Sequence, residues 1–244
     1  MDAILTFHAI DASGSVLSYP PADLEALLER LLADRVAVVP LETLLESAAT
    51  AAHRVALTFD DGLVSVHEQA LPILARLRLP ALVYVVSDWV GRTNRWPSQP
   101  ASAPESRVMD WDALRAMLAA GVAVGAHGAS HAPLTGLGDD ERDGELRRCR
   151  DVLEKNLQVP IRHFAYPYGA HSPTAAAAVG RYFRTGVTTR MRFLGTGEDP
   201  LRLPRLDTYY LRGARARESL FAGRTRLYLG LRAGLRRLRR AGAD

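Results

Sequence analysis

Cysteine is nearly absent from this chain of 244 residues: Cys149 is the only one. A single thiol excludes an intrachain disulfide and suits a reducing compartment. Long apolar runs are missing too, so no segment reaches the roughly 20 residues that a bilayer-spanning helix needs. The N-terminus carries no basic stretch and only a short apolar run before Asp11. That pattern predicts no cleavable signal peptide and a cytoplasmic location. There is no internal repeat.

What is present is enough apolar material, 48% of residues, for one large core. Apolar spacing predicts a strand at 4–8, a helix over 21–32 with a proline near its start, a strand at 36–39 and a helix over 41–52. The strand ending at Asp60 follows, then a helix over 66–78 and a strand at 81–86. A capped helix over 110–120 leads into a strand from Val122. Helices over 139–157 and 173–183 and a strand at 185–188 complete the series. Repeated strand–helix units predict a parallel sheet, here a closed, irregular TIM-like barrel.

Three strand ends carry chemistry. In Val55-Ala-Leu-Thr-Phe-Asp-Asp-Gly62 an apolar strand runs into two carboxylates. Adjacent residues on an extended segment point to opposite sides, so Asp60 and Asp61 can take different tasks, one on a metal and one on a proton. Asp-Asp-Gly also makes an ordinary turn. In Val122-Ala-Val-Gly-Ala-His-Gly-Ala-Ser-His131, His127 and His131 stand four apart at the next such end. Two imidazoles and a carboxylate are a common facial set for zinc or a similar divalent metal; two hydrogen-bonded loop histidines are the plainer alternative. The third run, His163-Phe-Ala-Tyr-Pro-Tyr-Gly169, ends in a turn set by Pro167 and Gly169.

Together these motifs resemble the polysaccharide deacetylases of the fourth carbohydrate-esterase family, over most of residues 3 to 207. The resemblance implies a barrel of fewer than eight regular units. It implies Asp60 as general base, Asp61, His127 and His131 as metal ligands, and the Tyr168 backbone N–H as an oxyanion donor. The implied metal is Zn2+, with Co2+, Ni2+ or Fe2+ as alternatives. It would polarise a substrate carbonyl and make water a nucleophile at neutral pH.

Three positions depart from the family pattern. Gly128 stands where Ser or Thr usually follows the first metal histidine, so one supporting hydroxyl is missing. Ala165 replaces the arginine that usually steadies the aspartate base. Arg205, in Arg-Leu-Pro-Arg-Leu-Asp207, is a replacement to consider, although a solvated surface arginine is the expectation there. No C-terminal Leu-x-His-type segment supplies the usual general acid. His8, ending the first strand, resembles an N-terminal active-site histidine found in a subgroup that includes exopolysaccharide deacetylases; it is either that acid or a buried structural histidine.

Residues 87–108 form the main insertion, a loop expected beside the metal site. Trp96 in it either stacks on a sugar face or anchors the loop; Tyr166 and Pro167 are further expected substrate contacts. The charge is uneven: ten arginines from Arg212 onward, against Glu218 and Asp244, give 212–244 a balance of +8, leaving 1–211 at −4. The expected division is therefore a catalytic domain over 1–211 and a basic amphipathic tail over 212–244. Leu220, Leu227, Leu231, Leu235 and Leu238 fall on one helical side, with Arg226, Arg232, Arg236, Arg237, Arg239 and Arg240 opposite. Such a helix either lies on an anionic membrane or docks its leucines on the barrel; no nucleic-acid motif accompanies it.

The expected activity is metal-dependent removal of an N-acetyl or other N-acyl group from an amino sugar of a glycan or glycolipid precursor. The alternatives are deformylation or another C–N hydrolysis of a lipid-linked sugar, or a catalytically silent glycan-binding protein. Oligomeric state is left open.

Overall fold

A computed structural model describes residues 1–46 and 52–241. In chain order the regular elements are β1 (Asp2–Phe7), β2 (Ala9–Ile10), β3 (Ser18–Tyr19), α1 (Pro21–Ala33), β4 (Ala37–Val38), α2 (Leu41–Glu46) and β5 (Arg54–Phe59). They continue with α3 (Leu71–Leu77), β6 (Ala81–Val85), α4 (Trp111–Ala119), β7 (Val122–Ala126), α5 (Asp139–Leu157) and β8 (His163–Ala165). The last are α6 (Pro173–Gly180), β9 (Thr185–Val187), β10 (Leu206–Asp207) and α7 (Gly223–Ala241).

The main sheet runs β10-β1-β5-β6-β7-β8-β9, with β4 added to β5, and every pairing is parallel. It curls until a parallel bridge from Val187 to Leu203 brings the segment leading into β10 against β9. The result is the expected irregular barrel. Its strands are buried on both faces, which explains their unbroken apolar runs.

Strand alternation sorts those residues into two cores. Ile4, Ala56, Leu82, Tyr84, Ala165, Val187 and Leu203 fill the barrel interior, whereas Leu5, Leu57, Val83 and Val85 pack outward under the helices. Gly125 is needed for this filling, because a Cβ there would stand 2.7 Å from the Tyr84 ring. The same two-residue period carries beyond the strand ends. Asp60 shares the inward side with Ala56, and Arg205 shares it with Leu203.

Helix ends follow the sequence closely. The Asp110 side chain accepts from Ala113 N–H and caps α4, and Ser172 caps α6 in the same way. The expected helix over 66–78 divides into a π-helical turn at Val66–Ala70 and α3, with Pro72 in the first turn of α3. The helix expected over 41–52 is seen as α2 to Glu46, and 47–51 lie outside the described residues. No helix among the described residues is long and apolar enough to cross a membrane.

The tail does not behave as one unit. Residues 212–222 are built into the barrel: Ala216 and Leu220 are buried, and the Gly213 N–H donates to Asp23 on α1. Leu220 precedes α7 and packs in the core, so it is not part of that helix's leucine side. α7 docks through Thr225, Leu229 and Arg236, leaving Leu227, Leu231, Leu235 and Leu238 exposed. Docking of the leucine side on the barrel is thus overturned. Arg236 instead reaches inward to the Asp207 carboxylate at 2.7 Å.

Candidate active site and metal centre

All three chemical motifs meet at the C-terminal rim of the parallel strands, where α/β folds place their sites. Asp61 Oδ1 lies 3.5 Å from His127 Nε2 and 3.6 Å from His131 Nε2, and the two nitrogens are 3.2 Å apart. All three side chains are buried, with ligand atoms within 4.8 Å of one another. The His127 Nδ1–H donates to the Ala165 carbonyl at 2.8 Å, which leaves Nε2 as the free lone pair. Ala165 therefore serves the site through its backbone.

The His131 ring is held differently, between Trp96 and Tyr168, with ring centroids 4.4 and 4.6 Å away. Its Nδ1 is buried without a hydrogen-bond partner among the described residues. Burial, then the adjacent His127, pushes His131 down to about 3, so this imidazole is neutral. Burial opposes a proton on His127 as well, but its hydrogen bond to Asp61 and the Asp60 and Asp61 charges win and raise it. The same carboxylate charge would favour a divalent cation at this spot. Two borderline nitrogens and one hard oxygen fit zinc or a similar ion.

The local backbone is as specific as the side chains. Six non-glycine residues have positive φ among those described: Arg35, Arg78 and Gln158 follow helix ends, while Asp61, His131 and Tyr168 lie in this site at 71°, 64° and 57°. Left-handed backbone in side-chain-bearing residues persists only where surrounding contacts impose it. Ser98, from the 87–108 insertion, supplies one such contact by donating its hydroxyl to the His131 carbonyl at 2.8 Å. Tyr168 in turn donates its phenol to the Ser98 carbonyl. The insertion is a wall of the site, as its position after β6 requires.

Asp60 faces the other way, into the barrel. Arg205 donates Nη1–H to Oδ1 at 2.6 Å and Nη2–H to Oδ2 at 2.7 Å. Arg205 is 1% exposed; it also donates to the Thr188 carbonyl and Thr58 hydroxyl and lies 5.8 Å from the Tyr84 ring centroid. Burial by itself would raise the Asp60 carboxyl, but the Arg205 guanidinium holds it well below the usual carboxylate range. The expectation of a solvated Arg205 is corrected: with Ala165 in the usual arginine's place, the cation comes from the far end of the chain. The clue in the sequence was parity, since Arg205 stands two residues after the inward Leu203.

His8 Nε2 approaches Asp60 Oδ2 to 3.8 Å, and its side chain is 29% exposed. It lies at the mouth, in partial contact with solvent, not in the core. Tyr168 is likewise open to solvent. The other expected substrate contacts are not. Trp96 is 2% exposed, with its indole N–H bonded to Gln99; Tyr166 is buried and donates its hydroxyl to the Leu201 carbonyl; Pro167 is buried. These three support the site from behind: burial favours the anchoring reading of Trp96, and neither Tyr166 nor Pro167 offers an open face for the expected substrate contact.

Sequence reasoning passed over Glu145. It sits on the buried side of α5 with Leu146 and Cys149, and it accepts from the Ser130 N–H at 2.6 Å and the Ser130 hydroxyl at 3.0 Å. A Cβ on Gly128, whose φ is +80°, would come within 3.0 Å of this carboxylate. The loop between the two histidines is thus braced by Glu145 where a hydroxyl after the first histidine is the usual device.

Residues 47–185 match the family described as polysaccharide deacetylase. The chain belongs to that family. It is 22% identical over 191 residues to YxkH of Bacillus subtilis (strain 168), whose name places it among the polysaccharide deacetylases; the match covers 76% of this chain. The chain spans 63% of that curated relative's length. Among solved structures it is similar to IcaB from Ammonifex degensii, with TM-score 0.75, 24% identity, and coverage of 89% of this chain and 97% of that one. It is also similar to the Streptococcus pyogenes deacetylase PplD in complex with acetate, with TM-score 0.72, 22% identity, and coverage of 84% and 91%. At these identities the structural likeness establishes the barrel alone.

A direct test of the cluster is His131→Ala. The variant should fold as the parent does, judged by circular dichroism, but lose its bound divalent metal in elemental analysis. Full metal content in the variant would remove His131 from the ligand set.

Proposed function

We propose that this deacetylase-family barrel is a metal-dependent hydrolase that removes an N-acetyl group from an amino sugar of a glycan or glycolipid. The observation that carries the proposal is the juxtaposition of an ionised, arginine-held Asp60 with the converging Asp61, His127 and His131. Asp61, His127 and His131 would hold the ion, most simply Zn2+, which polarises the acyl carbonyl and acidifies water. Asp60 takes a proton as the water oxygen bonds to the carbonyl carbon. The Tyr168 backbone N–H meets the oxygen that gains negative charge. His8, at the mouth beside Asp60, delivers a proton to the departing nitrogen as the C–N bond breaks. Acetate and a free amino sugar result. Because the Arg205 guanidinium holds the Asp60 carboxyl below the usual carboxylate range, the base stays ionised into more acidic solution than an ordinary aspartate would.

The experiment is acetate release from N-acetylglucosamine oligosaccharides by the metal-loaded protein, abolished by a chelator and restored by Zn2+. No release from any N-acylated oligosaccharide or glycolipid would favour the silent glycan-binding alternative. His8→Ala refines the test. Turnover of amides should fall more than turnover of activated esters, whose leaving groups need little protonation. Equal losses on the two would return His8 to a structural role.

A further inference from the structure

Four large apolar side chains stand out on one element. Leu227, Leu231, Leu235 and Leu238 are 67%, 61%, 48% and 72% exposed, and their spacing sets them in one stripe along about 16 Å of α7. The helix is anchored by its other side. Arg236 is bonded to Asp207, Arg232 lies 4.7 Å from the Tyr210 ring centroid, and Leu229 is buried. A groove of about 560 Å³ lies beside the stripe, lined by Met191, Phe193 and Leu229 together with Arg192 and Arg226. Monomeric surfaces rarely leave such a patch on a helix without a use.

Charge chooses the occupant. Residues 219–243 hold seven arginines and no carboxylate; Arg236 is taken up by Asp207 and Arg224 lies 3.7 Å from Glu218, so the other five set the charge of the helix. Two copies of α7 packed stripe to stripe would bring like charges together, whereas a lipid surface with acidic headgroups complements both the leucines and the arginines. The placement of the helix adds an orientation. Phe221, just before α7, stacks on His53 at the N-terminal end of β5, with centroids 4.1 Å apart. Arg236, near its far end, pairs with Asp207 at the end of β10, one strand over from His8. α7 therefore runs along the barrel wall from the bottom to the catalytic rim.

We infer that α7 is an interfacial anchor that seats the barrel on its side on an anionic lipid surface. The mouth beside His8 then opens along that surface, suited to a glycan held there. The anchor stands on the structure alone, while its substrate follows from the deacetylase reading.

The test is flotation of the full-length, metal-loaded protein with vesicles of phosphatidylglycerol and phosphatidylcholine, against phosphatidylcholine alone. Binding should require the anionic lipid and weaken as salt rises. The double substitution Leu231→Asp/Leu235→Asp should reduce it by about tenfold or more, with melting temperature and metal content unchanged because both leucines are exposed. Acetate release from a soluble oligosaccharide should also be unchanged. Release from an N-acetylglucosaminyl lipid in the same vesicles should fall. Failure of the parent protein to float with anionic vesicles, or equal flotation of the variant, overturns the anchor. A solution dimer that the double substitution dissociates would assign the stripe to a second copy and overturn it too. Flotation without acetate release from either substrate leaves the anchor standing and removes the deacetylase reading.

Discussion

Arg205→Met should lower stability by about 3–5 kcal/mol, the usual cost of leaving one member of a buried ion pair without its partner. Asp60 would remain buried in the barrel with no cation against it, and its carboxyl would rise toward the protonated form. Activity should fall with it, since a neutral Asp60 cannot accept a proton. Because Arg205 acts through Asp60, the informative readout is the pH profile. The acid limb should move to higher pH in the variant, and thermal melting should show the stability loss. The double change Asp60→Asn/Arg205→Met should regain much of that stability, because removing both charges leaves nothing uncompensated, yet stay inactive. An unchanged acid limb and melting temperature in Arg205→Met would mean the pair carries neither role.

Asp60→Asn alone should retain its divalent metal and lose at least about 10²-fold in turnover, the size of a general-base contribution. The amide keeps one oxygen to accept from Arg205 but cannot take a proton. Metal retention is expected because the Asp61, His127 and His131 atoms converge without help from Asp60. Elemental analysis and acetate release on the same preparation separate the two tasks. Near-parental turnover would remove the base role, and metal loss would place Asp60 among the ligands.

Much of this architecture was legible residue by residue. α1, α5, β6 and β7 appear nearly as their apolar spacing predicts, because each buries one clear face or a short continuous run. β10 was not foreseen: two residues carry too little pattern, and its pairing with β1 bridges about 200 positions. Asp60, Asp61, His127 and His131 were readable because each motif is local to one strand end. For Trp96 the sequence left sugar stacking and loop anchoring open, and for Tyr166 it suggested substrate contact, since residue type suggests sugar contact but burial depends on what packs over the ring.

The tail shows the same division. The amphipathic pattern of α7 is written in its leucines and arginines, but the pattern alone is silent on which side docks. Arg236 on Asp207 and Leu229 in the core settled that, turning the leucines outward.

By itself the sequence determined the barrel class, the family and the four polar side chains at its rim, because strand parity and short-range motifs are local properties. Only the tertiary structure decided that Arg205 holds Asp60, that Glu145 braces the loop after Gly128, and that the leucine stripe faces out. Each of those depends on two segments distant in the chain meeting in space, and a buried charge finds its partner only once the core has closed around it.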